Sequence, residues 1–152
     1  MNPLFHAAYS AAGIEVSLVP ELVRRVRELY CDSSRFLLYE DTVPALELVR
    51  RSGARAVILS NHVPELPRII QQLGLGAVVD EVFTSAVIGF EKPNREAFLK
   101  ALGSIPAASS CMIGDNPVAD VAGATAVGVR GVLVRHRDSA FRDLLSAVAA
   151  AL

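Results

Sequence analysis

Polar residues follow three short apolar segments of this sequence, and their types suit the binding of a phosphate and a hard cation. Ser60 and Asn61 follow the first segment, Lys92 follows the second, and Asp115 and Asp120 follow the third. Ser60 and Asn61 can donate hydrogen bonds to phosphoryl oxygens, and Lys92 can neutralise their charge. Asp115 and Asp120 can hold Mg²⁺ directly or through water, because Mg²⁺ prefers oxygen ligands and keeps part of its hydration shell.

Most of these residues also have a structural interpretation. Ser60 or Asn61 fits the N-cap of a following helix. The pair Asn116-Pro117 fits an N-cap followed by proline at the first helical position, and Asp120 would then be a first-turn carboxylate that the helix dipole favours. Both interpretations stay open from the sequence alone.

Lys92 is harder to explain by structure. A helix is predicted to begin near Pro93, and a cation just before a helix opposes its dipole. A nearby phosphate oxygen or carboxylate would offset that cost.

His62 is expected to be exposed to solvent or to contact a substrate rather than to act in catalysis.

The elements that must position these residues alternate between strand and helix patterns. Short continuous apolar runs predict buried strands, and periodic apolar positions predict the helices between them. This order predicts an α/β fold with a parallel sheet and helices on both faces, in which ligands bind beyond the carboxyl ends of the strands. Predicted strands cover residues 56–59, 82–84, 110–113 and 131–134, and predicted helices cover residues 5–30 (in two parts), 41–51, 64–73, 93–102, 118–127 and 141–150.

The composition narrows the possible function classes. The chain has 152 residues, 52% of them apolar, and a formal net charge of −1, so neither nucleic acid nor an anionic membrane surface is expected as a partner. No apolar run approaches the length of a membrane span and no signal peptide is recognised, so a cytoplasmic location is expected. Two cysteines without metal-binding spacing fit that location, and Cys111 is predicted to be buried.

Three segments, taken in order, resemble motifs of the haloacid dehalogenase (HAD) superfamily. Residues 58–61 resemble its second motif, a strand that ends in Ser or Thr. Residues 91–93 resemble the third motif, which carries the lysine, and residues 113–120 resemble the fourth, with acidic residues placed as in GDxxxxD. The resemblance implies a Rossmannoid three-layer sandwich with a parallel sheet. Residues 41–152 would form its α/β core and residues 1–40 a short helical remnant of the cap that covers the site in relatives.

The first motif of that family, DxDxT, has no counterpart in this sequence. In relatives it ends a central strand, its first aspartate is the nucleophile and a metal ligand, and its second is the general acid and base. Asp41 is not a substitute, because it is predicted to be the N-terminal cap of a helix. Without the central strand, two unpaired strand edges would face each other, unless they close up, another segment fills the gap, or the natural chain is longer.

The resemblance implies a hydrolase that uses Mg²⁺ and acts on a small phosphorylated metabolite. It assigns catalysis to Lys92, Asp115 and Asp120, substrate binding to Ser60, Asn61 and Lys92, and metal binding to Asp115 and Asp120. Because the nucleophile is absent, the chain is expected to be truncated or inactive as given. The alternatives are a HAD-like binding protein without catalysis and a haloacid dehalogenase, which would need an aspartate nucleophile but no metal. An exposed sheet edge or an incomplete cap would favour a homodimer.

Overall fold

A computed structural model describes residues 3–152, with side chains described from residue 7 onward. Met1 and Asn2, which the predicted cap includes, lie outside the described residues. The described chain forms two compact units, which meet in sequence between Leu37 and Leu38. None of the described helices is long and apolar enough to cross a membrane.

The first unit is helical, as the apolar periodicity of its sequence predicts. Arg24, on its longer helix, pairs with Glu21 and Glu28, one turn away on either side. This unit contains α1 (Pro3–Ala11), a 3₁₀ turn (Val16–Leu18), α2 (Val19–Tyr30) and a second 3₁₀ turn (Ser33–Arg35).

The second unit alternates helices and strands, which confirms the predicted α/β class. Its strands are β1 (Val57–Ser60), β2 (Glu81–Thr84), β3 (Cys111–Gly114) and β4 (Arg130–Leu133). Its helices are α3 (Thr42–Arg51), α4 (Leu66–Gln72), α5 (Ser85–Ile88), α6 (Arg95–Leu102), α7 (Gly123–Thr125) and α8 (Leu144–Ala151), with a π-helix at Pro117–Ala122 and 3₁₀ turns at Leu75–Ala77 and Ala107–Ser109. The sequence predicts one helix over residues 118–127, whereas the structure has the π-helix and α7 there.

The four strands form two separate parallel pairs instead of one continuous sheet. β1 pairs with β2, with Ser60 opposite Thr84, and β3 pairs with β4, with Gly114 opposite Leu133. Residues of both β1 and β3 line a cavity of about 580 Å³. Within the described residues, the edges of β1 and β3 therefore do not close up against each other.

Three apolar clusters pack against the strands, and Leu59 of β1 contributes to the one built around Phe98. Leu66 and Ile70 of α4 pack with Leu75 against Ile58 and Val82 of the first pair. The second pair contributes to two clusters, one on each of its faces. One is built around Phe98, Ala124 and Val129, and the other around Val132, Val134 and Ala147.

Cys111 is exposed, so the prediction that it is buried is wrong. It lies at the start of β3 and lines the cavity. Partial burial still raises the pKa of its thiol above the ordinary value, and the nearby Arg130 opposes that rise. Cys31 is buried.

Asp41 occupies the N-cap position of α3, as predicted, but its side chain makes no capping hydrogen bond there. Its carboxylate accepts hydrogen bonds from the guanidinium of Arg135 and from the backbone amide of Leu144 at the start of α8. The guanidinium of Arg135 also lies over the ring of Tyr39, 3.8 Å from its centroid. A partner 103 positions away in sequence therefore determines the role of Asp41 and ties the start of α3 to α8.

Replacing Asp41 with Ala should destabilise the chain by about 2 kcal/mol. The change leaves a largely buried guanidinium and a helix amide without their acceptor. Urea denaturation followed by circular dichroism would measure this loss. Asp138→Ala is the control, because that side chain is 70% exposed and its ion pairs lie at the surface, so a change under about 0.5 kcal/mol is expected. Equal losses in the two variants would contradict the assigned role.

Candidate functional site

The carboxyl end of β1 is joined to the loop that carries Lys92. The side-chain amide of Asn61 donates to the backbone carbonyl of Lys92 at 2.9 Å and accepts from its backbone N–H at 2.7 Å. Asn61 therefore does not cap the helix after β1, which begins at Leu66 after a backbone N-cap at Glu65. Both polar groups of the Asn61 amide are engaged in fixing the position of Lys92.

The side chain of Lys92 forms a buried ion pair with Asp120. The distance from Nζ to Oδ1 is 2.6 Å, and the two side chains are 11% and 6% exposed. Helix α6 begins at Arg95 and is capped by Asn94, whose side chain accepts from the N–H of Glu96. The positive charge of Lys92, which the sequence places just before a helix, is thus balanced by the Asp120 carboxylate. A nearby carboxylate was one of the two partners expected for Lys92.

Asp120 links Lys92 to the carboxyl end of β3. Its Oδ2 accepts from the backbone N–H of Asn116 at 3.0 Å. It packs directly against Gly114, where an added Cβ would lie 2.2 Å from Oδ2. A glycine at the end of β3 is therefore required for the carboxylate to reach this position.

The turn after β3 begins with Asn116 as an N-cap followed by Pro117, as the sequence predicts. The Asn116 side chain accepts from the N–H groups of Val118 at 3.0 Å and Ala119 at 2.8 Å, and Pro117 occupies the first position after the cap. The backbone carbonyl of Asn116 accepts hydrogen bonds from the backbone N–H groups of Asp120 and Val121. The wider π turn directs Asp120 back toward Gly114 and Lys92 rather than toward solvent.

Asp115 has a different environment from Asp120. It is exposed, and its carboxylate makes no hydrogen bond or ion pair within the described part of the chain. It lies between Gly114, which contacts Asp120, and Asn116, whose amide bonds to it. The two carboxylates thus emerge from the same short turn, with one engaged by the protein and the other open to a ligand.

Two hydroxyl groups lie at the carboxyl ends of the first strand pair. Ser60 is half-buried and faces Thr84 across the β1–β2 register. Thr84 is 1% exposed, and its hydroxyl has no hydrogen-bond partner among the described residues. Thr84 is not among the residues that the sequence motifs single out. The available signal was its place at the end of a predicted strand, the same position that singled out Ser60.

The chain offers a small set of metal ligands. Among the residues that the structure describes, no group of three or more His, Cys, Asp or Glu side chains is placed to hold a metal ion. Asp115 offers an open carboxylate, whereas both oxygens of Asp120, the second ligand that the sequence suggested, are held by Lys92 and by the Asn116 amide. Mg²⁺ is often held by one or two carboxylates together with phosphate oxygens and water. The residues present therefore fit Mg²⁺ as part of a site that a phosphate would complete.

His62, which the sequence places directly after Asn61, is half-buried, not fully exposed.

A family model places the chain among known proteins. Residues 4–128 match the model described as haloacid dehalogenase-like hydrolase. A phosphoserine phosphatase of Thermus thermophilus is 33% identical over 137 residues, covering 88% of this chain and 55% of the relative. A phosphatase of Mycobacterium tuberculosis is 35% identical over 117 residues, covering 71% of this chain and 53% of the relative. The chain thus spans about half the length of these curated relatives.

Solved structures show the same fold. A HAD phosphatase from Thermococcus onnurineus aligns with a TM-score of 0.67 and 19% identity, covering 93% of this chain and 80% of the other. A 2-haloacid dehalogenase from Pseudomonas syringae aligns with a TM-score of 0.72 and 20% identity, covering 97% and 69%. These similarities support the fold and do not choose between the two chemistries.

Replacing Gly114 with Ala should destabilise the chain by about 2 kcal/mol, because the new Cβ and the Asp120 carboxylate cannot occupy the same space. The ion pair with Lys92 would be displaced with it. Chemical denaturation would give the stability of the variant. Gly76→Ala is the matched control, since its Cβ would meet Gln71 at an ordinary 3.6 Å. A Gly114 variant as stable as the Gly76 variant would show that the packing is looser than described.

Proposed function

Because the chain belongs to the haloacid dehalogenase-like hydrolase family, we propose that it supplies the phosphate- and Mg²⁺-binding half of a phosphatase for a small phosphorylated metabolite. The observation that carries this proposal is the buried Lys92–Asp120 pair beside the open carboxylate of Asp115. All three residues lie beyond the carboxyl ends of parallel strands, where α/β proteins bind their ligands.

Each residue then has a separate role. Asp115 would hold Mg²⁺ through its open oxygens, with phosphate oxygens and water completing the shell. When bound, Mg²⁺ would neutralise phosphoryl charge and orient the phosphate. Lys92 would face the same phosphate, and Asp120 would keep its ammonium in place. Ser60 would donate its hydroxyl to a phosphoryl oxygen.

Asn61 contributes through Lys92 in this scheme. Its amide is occupied by the Lys92 backbone at 2.7 and 2.9 Å, so we assign it a positioning role and not a direct phosphate contact. This assignment is narrower than the substrate-binding role that the sequence suggested for Asn61.

The covalent step requires a nucleophile that the sequence does not provide in a DxDxT motif. Asp41 does not replace that nucleophile, because its carboxylate is bonded to Arg135 and to the start of α8. Loss of a nucleophile removes most of the rate of a covalent enzyme, with roughly 10³–10⁴-fold over water remaining in a triad enzyme. The 152-residue chain should therefore bind phosphate with Mg²⁺ and hydrolyse phosphate esters slowly.

Asp115→Asn should weaken Mg²⁺ binding measured in the presence of inorganic phosphate by about tenfold or more, since it removes the open carboxylate. Isothermal titration calorimetry would measure the affinity. The control is Asp138→Asn, an exposed carboxylate elsewhere in the same unit, and its affinity should be unchanged. Equal affinities for parent and Asp115→Asn would exclude Asp115 as the metal ligand.

Hydrolysis of p-nitrophenyl phosphate distinguishes the remaining possibilities. The purified chain would be assayed with Mg²⁺ beside a version extended upstream by in-frame codons. Turnover by the extended version alone supports a phosphatase whose nucleophile lies outside these 152 residues. Fast turnover by the 152-residue chain that Asp115→Asn abolishes would show that another residue acts as nucleophile. Mg²⁺ and phosphate binding without turnover in either version would favour a binding protein.

A further inference from the structure

Thr84 carries a buried hydroxyl group that is not used in the unliganded chain. The residue ends β2 and is 1% exposed, and its Oγ1 makes no hydrogen bond to any residue that the structure describes. Most buried polar atoms in folded proteins are paired, because an unpaired donor loses its hydration without compensation. The Thr84 hydroxyl is therefore a candidate for a contact that forms only when a ligand is bound.

A helix cap is the structural role that the position of Thr84 would allow. Thr84 is the N-cap residue of α5, with φ −113° and ψ 141°. In this extended conformation a threonine oxygen usually accepts a hydrogen bond from an amide of the first helical turn. The side chain of Thr84 makes no such bond. Its hydroxyl is thus directed neither to the helix nor to solvent.

Ser60 and Thr84 point to the same face of the first strand pair. They are opposite each other in the parallel register, two positions beyond the pair Ile58 and Val82. Ile58 and Val82 both pack against the apolar cluster around α4. Residues two positions apart on a strand share a face. Ser60 and Thr84 therefore lie side by side on the α4 face, at the carboxyl end of the pair.

The two hydroxyl groups differ in burial and in freedom to rotate. Ser60 is half-buried, and its hydroxyl makes no hydrogen bond within the described part of the chain. The chain after β1 stays beside the chain after β2, where the His62 carbonyl accepts from the N–H of Ala86 at 3.3 Å. Thr84 is buried and β-branched, so its χ1 angle is restricted, whereas Ser60 can change rotamer. Ser60 can thus reach a ligand and can also turn toward Thr84.

We propose that Thr84 is a positioning residue of the phosphate site and acts through Ser60. The inference rests on the proposed function, in which the Ser60 hydroxyl donates to a phosphoryl oxygen. A hydroxyl group has one donor and two acceptor lone pairs, so Ser60 Oγ can still accept a hydrogen bond in that state. With the two backbones ~4.8 Å apart, a rotation of Ser60 about χ1 brings its Oγ within reach of the Thr84 hydroxyl. Thr84 then donates to Ser60 Oγ.

This contact has two consequences for the phosphate site. It orients the Ser60 hydroxyl, and hydrogen bonds in series polarise one another, so Ser60 becomes a better donor to the phosphate. It also satisfies the Thr84 hydroxyl, which is unpaired in the free chain. Stability of the free chain and affinity for phosphate therefore place opposite demands on position 84.

Thermal unfolding without phosphate tests the first of these demands. Thr84→Val nearly keeps the shape of the side chain and removes the unpaired hydroxyl, so the variant should melt about 2 °C higher or more. Thr84→Ser keeps the hydroxyl and loses a buried methyl group, so it should melt below the parent. Circular dichroism would measure both transitions. A valine variant that melts below the parent would show that the hydroxyl already has a partner, such as a buried water, and would overturn the proposal.

Phosphate affinity should change in the opposite direction. Isothermal titration calorimetry of the whole chain with inorganic phosphate and Mg²⁺ would measure it. Thr84→Val should bind phosphate about fivefold or more weakly, and Thr84→Ser should bind within about twofold of the parent. Thr125→Val is the control, because the Thr125 hydroxyl donates to the Val121 carbonyl at 2.8 Å, and its affinity should equal that of the parent. Parent-like affinity of Thr84→Val would overturn the proposal.

A double-mutant cycle with Ser60→Ala separates this inference from the proposed function. Ser60→Ala should weaken phosphate binding about tenfold, and Thr84→Val should have no further effect in that background, since it acts through Ser60. Losses that multiply would show that Thr84 acts elsewhere, which overturns the inference and leaves the proposed function intact. Unchanged affinity of Ser60→Ala, or no phosphate binding by the parent, would contradict the proposed function and the inference with it.

Discussion

The buried ion pair between Lys92 and Asp120 is the interaction on which the arrangement of the site depends. The two strand pairs are separate sheets, so no backbone ladder joins β1 to β3. At their carboxyl ends the connection runs through side chains, from Asn61 to the Lys92 backbone and from the Lys92 ammonium to Asp120. Two charges this deeply buried are tolerated because each satisfies the other and because Asn116 donates to the second carboxylate oxygen.

This arrangement explains why two carboxylates in one short turn have different roles. Asp120 is held by Lys92 and by the Asn116 amide, and Gly114 leaves room for it. Asp115, five positions earlier, remains open to solvent. The Asp120 carboxylate orients the Lys92 ammonium, which can contact a phosphate, and the Asp115 carboxylate is left open to bind a metal ion.

Much of the fold could be predicted from the sequence because short apolar runs and periodic helices are local signals. The four predicted strands were confirmed to within about two residues, as was the α/β class. The separation of the strands into two pairs, with residues of β1 and β3 lining a cavity, is a tertiary feature of the structure. Of the residues assigned to the site, Ser60 ends β1, Asn61 and Asp115 directly follow strands, and Asp120 lies in the π-helix.

What could not be predicted depends on partners that are distant in sequence. Asp41 bonds to Arg135 and to α8, about a hundred positions away, and a local pattern offers only a helix cap. The side-chain amide of Asn61 could hydrogen-bond to a phosphate by its chemistry. In the structure, both of its polar groups are hydrogen-bonded to the Lys92 backbone. Cys111 lies in an apolar run that normally predicts burial, yet it lines the cavity between β1 and β3 and is exposed.

A double-mutant cycle on Lys92→Met and Asp120→Asn, followed by urea denaturation, measures whether the two buried charges stabilise each other. Each single change should cost about 3 kcal/mol, because it leaves the partner without its counter-charge in a buried place. The double variant should cost about 2 kcal/mol less than the sum of the two, which is the coupling between the side chains. Costs that add to within about 0.5 kcal/mol would contradict the account, since they would show that the two groups do not depend on each other.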